Sequence, residues 1–503
     1  MKLALSVFIF LLGGMFSVAQ SKRGNVWVTG TSGNTIDFNA QNIISKTGIY
    51  FPFKYFDSGS SSICDTNGNL ILASDGMNIY DSYGNYIQEG DTIVPPYHYS
   101  QKNGFSLYSQ SSLFLPFDSN KFYFVTPAFS DSKYQGCQSG GSCFFDLLLY
   151  NVVDMRANGG AGQVVKRMVP LLQNAQLRKT QMQACRHGNG KDWWLLKNEG
   201  DSANVHVFLF TQDTVYDKGV QVFSQPVWGE WDIRGQSTFS SDGHLFASTS
   251  HGSSSGLIFI AEFDRCHGLL SNPYTIQMPV GSQHNPNDTT VTECLSVGLC
   301  FSPNQQFLYV VSMSNIYQYD LSDSSWYHVA GLDTSYTYFT GYETAYLASD
   351  DKIYIGNHGG TSKQMSRIDN PDIKGSGCNF CPRCLRLDSL GLYGYAFTPP
   401  CMPDYNLGEK TCWPLQNENE YEEEHEWVVY PNPTNSKIYI RSRQGASPSQ
   451  GQPASFLTVT KELYNNVGQL MLQTKEDELD VSHLPKGLYY LHCGNAVGKV
   501  VVE

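Results

Sequence analysis

The chain has 503 residues, with 33 Lys and Arg against 46 Asp and Glu and a formal charge of −13. That length exceeds what one hydrophobic core fills, so more than one folded unit is expected, and the acidic balance excludes a nucleic-acid partner, which needs clustered Lys and Arg. Only 16% of residues are charged, 13% are aromatic and 46 are Gly, which favours a turn-rich β protein over a helical one.

Lys2, an apolar run from Leu3 to Phe16, and Ser17-Val18-Ala19 before Gln20 read as a signal peptide at residues 1–19, cut after Ala19. The run is shorter than the roughly 20 residues of a spanning helix. The first cysteine after the cut is Cys64, which sets aside a lipoprotein anchor. No later stretch is long and apolar enough to be a transmembrane helix, so the mature chain is expected to be exported and soluble.

From Asn25 to Leu407 one device repeats. A polar turn rich in Asp, Asn and Gly leads into an apolar-aromatic strand, and a second strand soon follows. Asp65 to Asn69 precedes Leu70 to Ala73 and then Asn78 to Tyr80. Asp118 to Asn120 precedes Lys121 to Val125, and Asn189 to Asp192 precedes Trp193 to Leu196 and then His206 to Phe210. Further copies open at Ser241-Asp242-Gly243-His244, at Ser302-Pro303-Asn304 and at Ser349-Asp350-Asp351. Asn-Gly and Asp-Gly supply the positive φ of tight hairpin turns. The runs after them are nearly continuously apolar, as strands buried on both faces are. One hairpin cannot bury such strands alone, so the copies must stack. Their recurrence at roughly fifty to seventy residues fits four-stranded propeller blades with insertions. The expected fold is all-β, with a β-propeller over residues 20–415. Six copies are visible and a seventh closes the ring from both termini; six or eight blades are the alternatives to seven.

Several segments resemble those of large exported Bacteroidetes propeller proteins: Ser61 to Leu70, Gly190 to Trp194, Phe263 to Gly268, Gly298 to Pro303 and Asp369 to Asp372. The resemblance implies the fold and its pairing with a C-terminal sorting tail. It carries no chemistry across, and the extra cysteines from Cys378 to Cys384 depart from it.

Thirteen cysteines in an exported chain read as disulfides with one left over. Cys137 and Cys143 bracket a short loop, and Cys294 and Cys300 flank a short apolar stretch. Cys378, Cys381 and Cys384, followed by Cys401 and Cys412, form the densest cluster. Closely spaced thiolates chelate zinc, but the second pair lacks the close spacing, so disulfides are expected there and no metal. Cys493 is expected to be a lone thiol.

Catalytic patterns are sparse. There is no Gly-x-Ser-x-Gly elbow, and His425-Glu426 lacks the second His of a zinc protease helix. Asp65 to Asn69 opens like a calcium loop without the closing Glu, and reads as a hairpin turn. Ser240 to Phe246 is similar to the Asp-box of sialidases, except that Asp242 and Gly243 are adjacent where that motif separates them. His187 stands just before a strand, His251 and His358 stand beside Gly at loop tips, and Trp228 and Trp231 accompany Glu230 and Asp232. In a propeller such residues can converge on the funnel at the ring's axis, although a surface His and a core Trp are the commoner roles. No catalytic, cofactor-binding or metal-ligating residue is assigned, and no cofactor is called for.

Glu418, Glu420, Glu422, Glu423, Glu424 and Glu426 form a self-repelling, solvated run, read as an acidic linker over 416–427. After it, residues 428–503 show short strands at Lys437 to Ile440, Phe456 to Thr460, Leu470 to Gln473, Leu488 to His492 and Lys499 to Val502. Turns at Asn465 to Gly468 and Pro485 to Gly487 separate them, as in a small Ig-like β-sandwich. Tyr430-Pro431-Asn432-Pro433-Thr434, Glu462 to Gln469, Leu484 to Leu491 and Gly498 to Val502 resemble, in order and spacing, the type A C-terminal sorting domain of the type IX secretion system of Bacteroidetes. The resemblance implies export through the type IX translocon as partner, with Pro485, Gly487, Tyr489 and Lys499 as the sorting signal. It also implies a protein secreted or held at the outer-membrane surface. The polar stretch Gln444 to Ala454 is longer than that pattern. The expected function is a binding or interaction module for an extracellular glycan or protein. The alternative is an extracellular hydrolase or lyase with its active site in the funnel, and a structural surface-layer component is the third reading.

Overall fold

The computed structural model describes residues 21–31, 34–39, 51, 54–102, 104–137, 143–200, 202–224, 235–250, 256–279, 296–332, 341–358, 363–386, 398–412, 427–442, 460–465, 469–493 and 496–503. The chain divides after Cys412 into two compact units. The signal peptide expected at 1–19 lies outside the described residues, as does the linker expected at 416–427 but for the backbone of Trp427.

The first unit is a β-propeller. Its described strands form antiparallel sheets that follow one another along the chain, five of them four-stranded meanders at 113–172, 177–221, 235–277, 296–331 and 341–386. Ser61–Cys64, Leu70–Ser74 and Ile79–Asp81 make a three-stranded sheet, and Val26–Thr31, Asn34–Asp37 and Tyr55–Phe56 make another. The first strands of successive sheets lie side by side: Leu177–Arg186, then Gly235–Phe239, Ser296–Phe301 and Gly341–Leu347. The two ends of the unit meet. Thr29 Oγ1 donates to the Thr398 carbonyl at 2.5 Å, Cys401 N donates to the Ser60 carbonyl at 2.7 Å, and Ser61 bridges Cys401 in parallel.

Each polar turn holds itself closed. Asp65 Oδ1 accepts from Asn67 N at 2.8 Å and Asn69 N at 2.9 Å, while Gly68 takes a φ of +94° that a Cβ disfavours. Asp242 does the same for His244 N at 2.9 Å. These carboxylates are occupied by the turn, in keeping with a hairpin reading of Asp65 to Asn69.

The strands after the turns are buried on both faces because each sheet is packed between two others. Trp193 and Trp194 show it best: neighbours in one strand point to opposite faces. Trp193 Nε1 donates to the Pro116 carbonyl of the preceding sheet at 2.9 Å, and Trp194 Nε1 to the Arg265 carbonyl of the following one at 2.7 Å. Both rings are buried and both indoles are satisfied. Along the axis, the inner strands are sheet edges whose main-chain groups need other partners. Glutamines supply them. Gln236 Nε2 donates to the Ala345 carbonyl at 2.7 Å while its Oε1 accepts from Leu299 N and Ala345 N at 3.1 and 3.0 Å. Gln110 exchanges two 2.7 Å bonds with the main chain of Ser237.

The cysteines correct the sequence expectation. Cys412 pairs with Cys266, 146 residues away, and not within its own cluster, because the chain's return brings it beside the turn that carries Cys266. Cys143 is also disulfide-bonded. Cys300, Cys378, Cys381, Cys384 and Cys401 are free thiols, and no group of three or more metal-ligating side chains occurs among the described residues. Cys294 and the side chains of Cys137 and Cys493 lie outside the described residues.

The second unit is an Ig-like sandwich. Trp427–Tyr430, Lys437–Ser442 and Glu478–Asp480 form one sheet; Leu470–Thr474, Lys461–Asn465, Gly487–Cys493 and Ala496–Val502 form the other. Ile438, Leu463, Leu479, Leu491 and Val500 fill its core. The strand begins at Lys461 where Phe456 to Thr460 was expected, and residues 456–459 lie outside the described ones. The last strand's outer edge is covered near its end: Val501 N donates to Asn432 Oδ1 at 2.8 Å, Thr434 N to the Val501 carbonyl at 2.9 Å, and Glu503 N to the Thr434 carbonyl at 2.8 Å.

Candidate functional site

Where the inner strands run into their polar turns, a cavity of about 380 Å³ opens in the first unit. It falls within the size of small-molecule sites, roughly 300–1,000 Å³. Four inner strands and their turns build the wall through Gln183 to Cys185, Thr238 to Ser241, Cys300, Phe301 and Pro303, and Ala345 to Ser349 with Asp351. Gly24, Asn25 and Trp27 from the N-terminal end and Met402 to Leu407 from the C-terminal end complete it. The lining alternates hydroxyls and amides with the rings of Trp27, Phe239, Phe301 and Tyr405.

Asp404 is the chemically distinctive group. Its side chain is exposed, and the protein packed around it raises its carboxyl above the usual range. A hydrogen bond from Asn406 N at 2.8 Å and the charges of Arg186 and Arg265 oppose the rise. Both guanidiniums are committed to carbonyls. Arg265 donates to Arg186 O at 2.9 Å, Asp242 O at 3.3 Å and Gly408 O at 2.6 Å; Arg186 donates to Gly190 O at 2.7 Å and stacks over Trp193. Burial, then the nearby charge of Arg23, lowers Arg186 to about 10. Three polar atoms of lining residues, Trp27 Nε1, Tyr346 Oη and Asn406 Oδ1, are shielded from solvent and have no hydrogen-bond partner among the described residues. Native proteins rarely leave such groups unmet.

Of the residues singled out from sequence, few reach this cavity. Ser240 and Ser241 line it. His187 does not, and both of its ring nitrogens are used locally, Nδ1 accepting from Asn189 N and Nε2 paired with the Cys266 carbonyl, each at 2.9 Å. Trp228, Glu230, Trp231, Asp232 and His251 lie outside the described residues, as does the side chain of His358. Sequence reasoning missed Asp404 and Trp27. Neither sits in a motif, and the cavity unites positions that no spacing rule connects.

In the second unit, Tyr489 is buried and its hydroxyl donates to the Pro485 carbonyl at 2.6 Å, bending the exposed Pro485 to Gly487 turn onto the strand that follows. Lys499 pairs in register with Tyr490, and its side chain lies outside the described ones.

Residues 428–503 match the family described as "Secretion system C-terminal sorting domain". Such a domain implies export by the type IX secretion system. Among the described residues no helix is long and apolar enough to cross a membrane. A comparison with curated proteins finds no match. Similar solved structures include AztD from Citrobacter koseri, with 11% identity over 75% of this chain and 95% of that one and a TM-score of 0.35. A functionally unknown protein from Desulfotomaculum acetoxidans shows 12% identity over 75% and 99%, with a TM-score of 0.40. An oligogalacturonate lyase in complex with manganese shows 13% over 65% and 79%, with a TM-score of 0.36. At these values nothing is carried from any of them to this chain.

Proposed function

We propose that this is a seven-bladed propeller with an N-terminal signal peptide, carried outside a Bacteroidetes cell by its sorting tail, where it binds an extracellular glycan or protein segment in the axial cavity. The observation that carries the reading is the cavity itself, about 380 Å³ and walled by the rings of Trp27, Phe239, Phe301 and Tyr405 with hydroxyls and amides between them. Aromatic faces with a few placed polar groups suit sugar rings and peptide chains alike. The test is retention of the purified propeller on a panel of extracellular glycans and proteins, with released products followed in the same samples. Retention that Asn406→Ala weakens supports the binding reading; ligands retained equally by that variant would refute the site.

A second reading is an extracellular hydrolase or lyase. Asp404, with its raised carboxyl, and Asp351 line the same cavity, and acid–base cleavage uses a pair of carboxyl groups. Product formation abolished by Asp404→Asn would establish it.

For export, we take Pro485, Gly487, Tyr489 and Lys499 as the residues the translocon reads, and the mature protein as secreted or attached to the outer-membrane surface. Removal of residues 428–503 is expected to leave a folded propeller in the periplasm. Normal surface delivery of that truncation would refute the assignment.

A further inference from the structure

Cys381 and Cys384 lie on Phe380–Arg386, the outermost strand of the sheet at 341–386, away from the axial cavity. In a regular strand, residues three apart are separated by about 10 Å, and a disulfide needs its Cα atoms within about 7 Å. This strand is not regular. Cys381 faces Arg367, but Leu385 faces Met365, so the outer strand carries two residues more than its neighbour over this stretch. Arg383, at the bulge, has a φ of +49°, and its N donates to Ser366 Oγ at 3.1 Å. The bulge shortens the separation of the two cysteines, and the Cys381 thiol is near enough to act on the Cys384 thiol. Both are free thiols and half-buried, open to solvent on a sheet edge. The third member of the cluster, Cys378, is buried against Tyr309 instead.

We propose that Cys381 and Cys384 form a thiol–disulfide exchange site, which closes to an internal disulfide at the expense of an external one. Burial and then the neighbouring Cys381 thiol push the Cys384 thiol up to about 12, against the charge of Arg367, so Cys381 acts first. Its thiolate attacks one sulfur of the external disulfide, that S–S bond breaks, and the departing thiolate takes up the proton Cys381 released. Cys384 then gives up its proton and attacks Cys381 Sγ, forming the internal bond and expelling the second thiolate, which takes up that proton. Two protein thiols are oxidised and one disulfide is reduced to two thiols.

The full chain, reduced and then equilibrated with oxidised and reduced glutathione, tests this by differential alkylation and peptide mass spectrometry, which follow this pair separately from Cys266–Cys412. The expected result is loss of alkylation at both cysteines and a peptide lighter by two hydrogens. Cys384→Ser is expected to stop at a mixed disulfide on Cys381. Arg383→Val, which the positive φ disfavours, is expected to close more slowly and to melt lower than the wild type, whereas Arg383→Gly, which accepts that φ, is expected to close as the wild type does. Both thiols still alkylated after equilibration, each carrying its own glutathione, or both protected by a co-purified zinc ion would each overturn the proposal.

Discussion

Breaking the Cys266–Cys412 bond tests how the first unit is held closed. The bond joins a turn of the sheet at 235–277 to the end of the segment that walls the cavity, and spans 146 residues. A loop of that length removes enough unfolded-chain entropy to stabilise the native state by about 5 kcal/mol at 25 °C. The same segment is also pinned without it. Lys410 N donates to the Gly188 carbonyl at 2.7 Å, Arg265 Nη2 to the Gly408 carbonyl at 2.6 Å, and Tyr405 Oη to the Phe114 carbonyl at 2.9 Å. Cys412→Ser should therefore fold and show native spectra, yet unfold at a much lower urea concentration than the oxidised wild type. Cys266→Ser/Cys412→Ser should lose no more than either single variant, since one bond is at stake. Reductant, which also opens the Cys143 bond in every form, should bring wild type and variants to one common midpoint. A loss under about 1 kcal/mol, with unchanged m-value, would refute the closure reasoning.

Three further outcomes are expected. Asp75 is buried, and that burial raises its carboxyl to about 6 against hydrogen bonds from Tyr80 and Asn78. The folded state therefore holds its proton more tightly than the unfolded chain, so stability is full below about pH 4 and falls by about 3 kcal/mol as pH rises through 6; urea melts across that range should show the slope in wild type and a flatter one in Asp75→Asn. Gly298 packs against the Glu343 carbonyl with no room for a Cβ, and Gly298→Ala should lower the propeller's melting free energy by about 1–3 kcal/mol. Tyr489→Phe removes the bond to Pro485 and should cost the isolated sorting domain about 1 kcal/mol, measured by thermal melting, while the surface-delivered fraction falls.

What the sequence disclosed follows from how the strands are buried. Trp193-Trp194 and Phe307 to Val311 are apolar at successive positions because both faces of their strands meet another sheet, so the run itself announces a stacked architecture. The turns were legible for a related reason: Asp65, Gly68 and Asp242 act on neighbours two to four residues away, within the reach of a local motif. The disulfide was not legible. Cys412 lies close in sequence to Cys401 and Cys384, and nothing local says that its partner is Cys266. The cavity failed for the same cause, since Trp27, Gln183, Phe301 and Asp404 meet only when the ring closes.

Several polar side chains along the axis are already spent on the fold, which narrows where the proposed binding site can act. Gln110, Gln236 and Gln183 are conspicuous in the inner strands, and a search for ligand-binding amides would choose them first. Yet Gln110 and Gln236 bond main-chain groups on other strands with both ends of the amide. Gln183 donates to the Met402 carbonyl at 3.4 Å and accepts from Ala184 N at 2.9 Å. Replacing them would loosen the ring before it altered any ligand contact. Arg186 and Arg265, facing Asp404, are held the same way by carbonyls. Among the lining residues, the groups left with capacity to spare are the Asp404 and Asp351 carboxylates, the Trp27 indole nitrogen, the Tyr346 hydroxyl and the Asn406 carbonyl oxygen. Three of these five belong to the segments that enter and leave the ring, not to a repeated strand. On the binding reading proposed above, specificity rests mainly with the closing segments, while the repeated sheets supply the rigid wall.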